Sequence, residues 1–170
     1  MDRELLVRAR AGDREAFESI VLQKGEPLFR TARAIVGDEA DARDATQEAF
    51  VSAWRRISGL RNVDRFDAWL GRILINQCRM TLRHRRRLRE VALDTSDAPV
   101  TDKGDGMADS TDFDDAFDRL TVDQRAILVL HHLHGYEVYE IAAWLGIPSG
   151  TVKWRLSRAR RALAAELRAT

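Results

Sequence analysis

Cysteine is almost absent: Cys78 stands alone in 170 residues, which excludes an internal disulfide and any multi-cysteine zinc site within one chain. Its neighbours Asn76, Gln77 and Arg79 fall in a helical pattern, which favours a buried structural thiol over a redox sensor. Proline occurs only three times, so little interrupts helices. No apolar run approaches the roughly 18 residues of a membrane span. The first residues, Met1 to Glu4, lack the apolar stretch of a signal peptide. A cytoplasmic protein without membrane insertion is expected. Missing too are a phosphate-binding glycine loop and a Ser or Cys nucleophile with a base. The expectation is therefore no catalytic residue, no cofactor and no small-molecule substrate. His131, His132 and His134 are the one tempting metal group. His131 and His134 share a helix face at a spacing of three, but the sequence offers no third ligand, so no metal site is expected.

What the chain has is charge, unevenly placed. The formal net charge of +1 hides three blocks. Met1 to Glu90 holds 19 basic and 14 acidic residues, Val91 to Asp118 one and nine, and Arg119 to Thr170 eight and four. Two basic blocks joined by an acidic one suit two surfaces for a polyanion, separated by a tether that such a partner repels. Nucleic acid is the leading candidate.

Apolar residues recur at spacings of three and four, and strand-like alternation is missing, so the fold class is all-α. Two small helical domains are expected, residues 1–90 and 113–170, joined by a flexible acidic linker over 91–112. The linker contains Pro99, Gly104 and Gly106 and too few large apolar groups to offset the entropy of ordering. In the first unit, a helix from about Asp2 to Ala9 precedes a second after Gly12 and Asp13. A third is expected to start at Leu28, after Pro27, and to stop at Gly37. Asp38 or Asp41 caps the next. Ser58 to Asp64 reads as a loop, followed by a long helix from about Arg65 to Arg89.

Residues Tyr139 to Leu156 (YEIAAWLGIPSGTVKWRL) spell a short helix, a tight turn and a second helix. Ala142 permits close helix approach, Gly146 suits a left-handed turn, Ile147 plugs the corner and Ser149 is a good N-cap. At about 100° per residue, Val152, Leu156, Ala159 and Leu163 form an apolar stripe. Lys153, Trp154, Ser157, Arg158 and Arg161 lie opposite. A helix in the major groove needs this chemistry: Arg and Lys for guanine edges and phosphates, hydroxyls for backbone contacts, free amides at its N-terminus. Trp154 has two readings, stacking on thymine methyls and sugar edges or packing on a neighbouring element.

Upstream, Asp38, Glu39, Asp41, Asp44, Gln47 and Glu48 precede Ala49, Phe50, Ala53, Trp54, Arg55 and Arg56 on one amphipathic helix. Acid early and base late suits the helix dipole, and an acidic ridge beside an aromatic equally suits docking on a basic protein. The following helix places Phe66, Trp69, Leu70, Ile73 and Leu74 in the core, with Asn76 and Gln77 partly inward. It ends in a basic rail of Arg79, Arg83, His84, Arg85, Arg86, Arg87 and Arg89. A basic segment beside an exposed loop is a surface for a separated strand.

In this order the motifs resemble the sigma-70 family of bacterial sigma factors, and within it the extracytoplasmic-function (ECF) type. Asp41 to Arg56 (DARDATQEAFVSAWRR) resembles region 2.2, Phe66 to Arg87 (FDAWLGRILINQCRMTLRHRRR) regions 2.3 and 2.4, and Leu120 to Leu163 region 4. The resemblance implies a promoter-specificity subunit of RNA polymerase without catalysis of its own. Asp44, Gln47, Glu48 and Trp54 would bind the clamp helices of the largest subunit, and part of region 4 the flap. Leu60, Arg61, Asn62, Trp69, Asn76, Arg79, Arg83 and Arg86 would open and read the minus-10 element. Ser149, Thr151, Lys153, Trp154, Arg155, Ser157, Arg158 and Arg161 would read the minus-35 element. An anti-sigma factor is implied as a further partner. Family members commonly carry Ser at the Trp154 position and often Asp near Met80, so promoter preference does not carry over. The acidic linker is expected to hold the two DNA readers apart and to suit a polymerase channel meant for nucleic acid. Two other readings exist: a dimeric helix-turn-helix regulator, which predicts tight binding to a palindrome without polymerase, and a protein-binding adaptor, which leaves the basic surfaces unexplained.

Overall fold

The computed structural model describes residues 2–95 and 112–169, and every regular element among them is helical. The order is α1 (Arg3–Arg10), α2 (Arg14–Val36), α3 (Glu39–Arg56), α4 (Phe66–Thr95), α5 (Asp112–Asp118), α6 (Val122–Leu128), α7 (Val138–Leu145) and α8 (Ser149–Ala169). Short 3-10 turns at Ile57–Gly59 and Val63–Arg65 join α3 to α4, and a π turn at Val129–Leu133 extends α6.

Aspartates set the starts. Asp2, Asp13 and Asp38 each accept a hydrogen bond from a backbone N–H of the following first turn, at Glu4, Ala16 and Asp41, satisfying donors that the helix itself leaves free. Asp38, not Asp41, is the cap of α3. Gly37 ends α2 at φ +83°, a conformation that only glycine adopts without strain.

Pro27 does not start a helix. It lies inside α2, which runs unbroken from Arg14 to Val36. A mid-helix proline costs about 3 kcal/mol through its missing donor and ring clash. Phe17 and Ile20 before it and Leu28, Ala32 and Ile35 after it are all buried. At about 1.5–3 kcal/mol for each large side chain, they outweigh that cost. The Thr31 hydroxyl also donates to the Pro27 carbonyl at 2.9 Å. α4 likewise continues to Thr95, five residues into the segment expected as linker. Residues 96–111 of that segment lie outside the described residues, and Asp112 at its end opens α5.

The two helical units do not stand apart. One apolar core runs through both, from Leu6 and Ile20 to Ile127, Ile141 and Val152. The Trp144 indole of α7 lies flat against Gly71 of α4, so close that a Cβ there would sit 2.1 Å from Cε3. Arg125 of α6, with 8% of its side chain exposed, reaches back to donate to the Ile35 carbonyl at 3.2 Å. It also donates to the carbonyls of Leu120 (3.2 Å) and Asp118 and pairs with the Asp118 carboxylate at 2.8 Å. Direct apolar burial between α4 and α7, with these polar ties, holds the described parts of the two units together.

His134 sits in the same seam. Thr31 spends its proton on Pro27, so His134 Nε2–H donates to Thr31 Oγ1 at 3.0 Å. Burial, then the Arg30 charge, holds this imidazole below its ordinary pKa. Around it lie the Lys24–Asp67 ion pair (2.6 Å), Tyr136 and Trp144. The packed state therefore binds fewer protons than the separated one. Its stability is full above about pH 6.5, the ordinary histidine value, and declines as pH falls below that. Scattering profiles between pH 7.5 and 5.5 should show expansion on acidification, and His134→Gln should flatten the dependence.

Candidate nucleic-acid interface

Helix α8 presents two chemically distinct sides. Val152, Leu156 and Ala159 are buried and Leu163 partly so. Ser149, Lys153, Trp154, Ser157, Arg158 and Arg161 are exposed on the other side, with Thr151 half-buried. The turn before it follows the expected chemistry: Gly146 is left-handed at φ +66° and Ile147 packs on the core. α8 begins one residue earlier than a Ser149 cap requires. The Pro148 carbonyl accepts from the Val152 N–H at 3.1 Å, which puts Ser149 in the first turn. α7 starts with a reciprocal box in which the Glu137 N–H donates to the Glu140 carboxylate at 2.8 Å. Tyr139 beside it is exposed and does not pack inward.

Arg155 departs from the outer face. It is half-buried, with its guanidinium 3.8 Å from Asp123 of α6. The same carboxylate accepts from Arg79 of α4 at 2.7 Å. One acid in the second unit thus holds an arginine from each expected DNA surface, a connection with no signal in the linear sequence.

On α3, Asp44, Gln47 and Glu48 are exposed along one side, with Ala42, Ala45, Ala49 and Ala53 buried behind them. Trp54 keeps one side in solvent and packs the other on Phe17, ring centroids 5.0 Å apart. The ridge is thus an accessible acidic surface ending in an aromatic. The loop that follows is mixed. Arg61 and Asn62 are exposed, Asn62 Oδ1 caps the second 3-10 turn through the Asp64 N–H at 2.9 Å, and Leu60 turns its side chain into the core. Leu60 offers the loop a backbone anchor, its carbonyl accepting from Arg10 at 3.4 Å.

Trp69 is half-buried against Phe66, and Asn76, two turns further along α4, shares its face. Asn76 is exposed rather than inward, and its Oδ1 accepts from Arg79 at 2.6 Å. Arg83 and Arg86 are exposed and, with Arg85, Arg119 and Arg125, line a cleft of about 450 Å³ between α4 and the α5–α6 corner. The rail therefore opens towards the second unit.

Cys78 is fully buried, and burial pushes its thiol up to about 12. At neutral pH it carries no appreciable thiolate, the form that oxidants attack. The three histidines each have their own hydrogen-bond partner: His131 the Tyr136 carbonyl, His132 the Arg160 guanidinium, from which it accepts, and His134 the Thr31 hydroxyl.

Sequence comparison adds to this geometry. Residues 20–88 match the family model for sigma-70 region 2, and residues 110–163 that for sigma-70, region 4. The chain belongs to the sigma-70 family, in its ECF branch. The ECF RNA polymerase sigma factor SigM of Mycobacterium tuberculosis is 37% identical over 163 residues, 96% of this chain and 83% of that protein. The RNA polymerase sigma-E factor of Streptomyces avermitilis is 37% identical over 152 residues, 89% of this chain and 84% of that protein. Among solved structures, CnrH in complex with the cytosolic domain of CnrY is 31% identical, with a TM-score of 0.70 and coverage of 99% and 97%. The sigma factor RpoE bound to the anti-sigma factor NepR from Bartonella quintana is 28% identical, with a TM-score of 0.66 and coverage of 89% and 96%. Both agree with the helical architecture of this sigma factor. None of its described helices is long and apolar enough to cross a membrane.

Proposed function

We propose that this sigma factor works in the cytoplasm as a non-catalytic specificity subunit. It docks on core RNA polymerase with α3 and reads promoters with two units, residues 1–90 at the minus-10 element and 113–170 at the minus-35 element. The observation that carries the reading is the pairing, in one chain, of an exposed acidic ridge (Asp44, Gln47, Glu48) with the exposed basic side of α8. A free-standing DNA regulator has no use for the ridge, and an adaptor has none for Lys153, Arg158 and Arg161.

Asn76 and the rail of Arg79, Arg83 and Arg86 act on the minus-10 strand, with Arg61, Asn62 and Trp69 beside them. Leu60 contributes by shaping the loop. Thr151, Lys153, Ser157 and Arg161 meet the minus-35 duplex with Ser149 at the helix start, where free amides favour a phosphate. Arg155 shares its unit with Asp123 and leaves it without any movement of the units. Arg79 reaches DNA only after Asp123 releases it, so full engagement of the minus-10 element requires the units to part. Core polymerase, or the DNA itself, supplies that separation. A protein partner that favours the packed arrangement restrains it, and an anti-sigma factor is the partner supported by the company that CnrH and RpoE keep in their structures.

Transcription with core polymerase from a promoter library tests the reading. The protein should bind promoter DNA weakly alone and direct initiation with core; no core binding and no promoter-dependent transcript would overturn it. Glu48→Arg, on an exposed position, should weaken core binding about tenfold or more by placing like charge against a basic surface. Its thermal melting should stay unchanged.

A further inference from the structure

We infer that Trp154 and Arg158 act as one reading unit, selecting a guanine with a thymine within two base pairs of it in the upstream promoter element. This rests on the assignment of α8 to the minus-35 element. Trp154 is 56% exposed, and the apolar stripe of α8 is completed without it. Among the described residues it belongs neither to the core nor to the partly buried groups packed on that core. The guanidinium of Arg158, one turn further along, lies over it at 5.3 Å from the ring centroid. One turn before it, Gly150 has open space where a side chain would stand. The ring is therefore uncovered on its N-terminal side, where the helix enters a groove.

The geometry divides the labour between the two side chains. A guanidinium over an indole is attracted by the ring's π face and keeps N–H donors for a further partner. Those donors match the O6 and N7 acceptors of guanine in a bidentate contact. Held on the ring, the fork is oriented before it meets DNA and loses less freedom on binding. The indole edge is apolar, and in the major groove the apolar group to meet it is the C5 methyl of thymine. Four residues at 1.5 Å each separate the two side chains by about 6 Å along the helix. Base pairs repeat at about 3.4 Å, which places the methyl no more than two steps from the guanine. Arg158 is the specificity residue; Trp154 positions it and adds the thymine contact.

Selection by the holoenzyme from promoters randomised across the upstream element tests the pair. The panel is wild type, R158K, W154S and W154F, with core binding measured in parallel; both positions are exposed, so the fold should survive. Wild type should enrich guanine with a thymine within two base pairs on either strand. R158K, which keeps the charge but loses the fork, should reduce the guanine preference about tenfold. W154S should abolish the thymine preference and reduce the guanine preference several-fold. W154F, which keeps a ring under the guanidinium, should recover most of the guanine preference. If W154S selects the same bases as wild type, or wild type selects an upstream element without this guanine and thymine, the paired reader is wrong while minus-35 reading stands. If wild type selects no upstream element at all, the assignment of α8 falls and the pair with it.

Discussion

Arg125→Ala should lower the unfolding free energy by about 3 kcal/mol, measured as a shift of the urea midpoint at unchanged slope. Arg125 is a buried cation whose guanidinium donates to three backbone carbonyls, those of Ile35, Leu120 and Asp118. Burial lowers its pKa from the ordinary arginine value, and the Asp118 carboxylate at 2.8 Å partly offsets this. Alanine leaves the carbonyls without their donor and opens space beside Phe117, whose ring the guanidinium also covers at 5.9 Å. Asp118 contributes little to the loss, because its side chain is well exposed and regains water. Arg125→Lys keeps the charge but cannot serve three acceptors in a plane, so it should lie between alanine and wild type. A loss under about 0.5 kcal/mol for alanine, the range of ordinary surface substitutions, would mean that the buried fork does not hold the seam.

Gly71→Ala should shift the balance between packed and separated units by about tenfold or more. The added Cβ would stand 2.1 Å from Trp144 Cε3 and 2.3 Å from Cζ3, distances that non-bonded carbons do not tolerate. Neither side can yield cheaply. Gly71 is buried in the second turn of α4, and Trp144 is buried and also packs on Tyr136 at 5.2 Å. Overpacking of this kind costs about 1–3 kcal/mol, and the simplest relief is for α7 to lift from α4. Small-angle scattering should then report a larger radius of gyration with helix content unchanged, since alanine is the better helix residue. Free Gly71→Ala protein should also bind short promoter fragments more tightly, because Arg79 is no longer held across the seam by Asp123. Unchanged dimensions and unchanged DNA affinity would show that the seam absorbs the methyl and does not limit access.

These two residues mark where the sequence stops being readable. The sides of α8 are legible because burial and exposure alternate with the helical period: Val152, Leu156 and Ala159 fall inward and Lys153, Ser157 and Arg161 outward. Gly146 is legible because its left-handed turn is a local requirement. The continuity of α2 through Pro27 is not, since a local rule is overridden by burial on both sides of it. Arg125 is an arginine beside the apolar run Ala126 to Leu128, the single linear hint that it goes inside. Gly71 and Asp123 give none, because their roles depend on which helix of the second unit lands on the first, and Arg155 gives none because its acid lies on a different helix of its own unit. Helical spacing puts Asn76 partly inward, and the resemblance puts Leu60 at the DNA surface. The structure exposes the amide and buries the leucine, because each sits at a helix or loop position whose direction is set by neighbours distant in the chain.

Cys78, sealed in α4 with its thiol pushed up to about 12, also makes the chain its own clock. A thiol reagent reacts with it only in molecules whose α4 has come away from the core. Where opening and closing are fast relative to modification, the labelling rate relative to that of a free thiol reports the population of that opened form. Where closing is slow, it reports the opening rate itself. The native sequence needs no added probe for this, and its other 169 positions contribute no background.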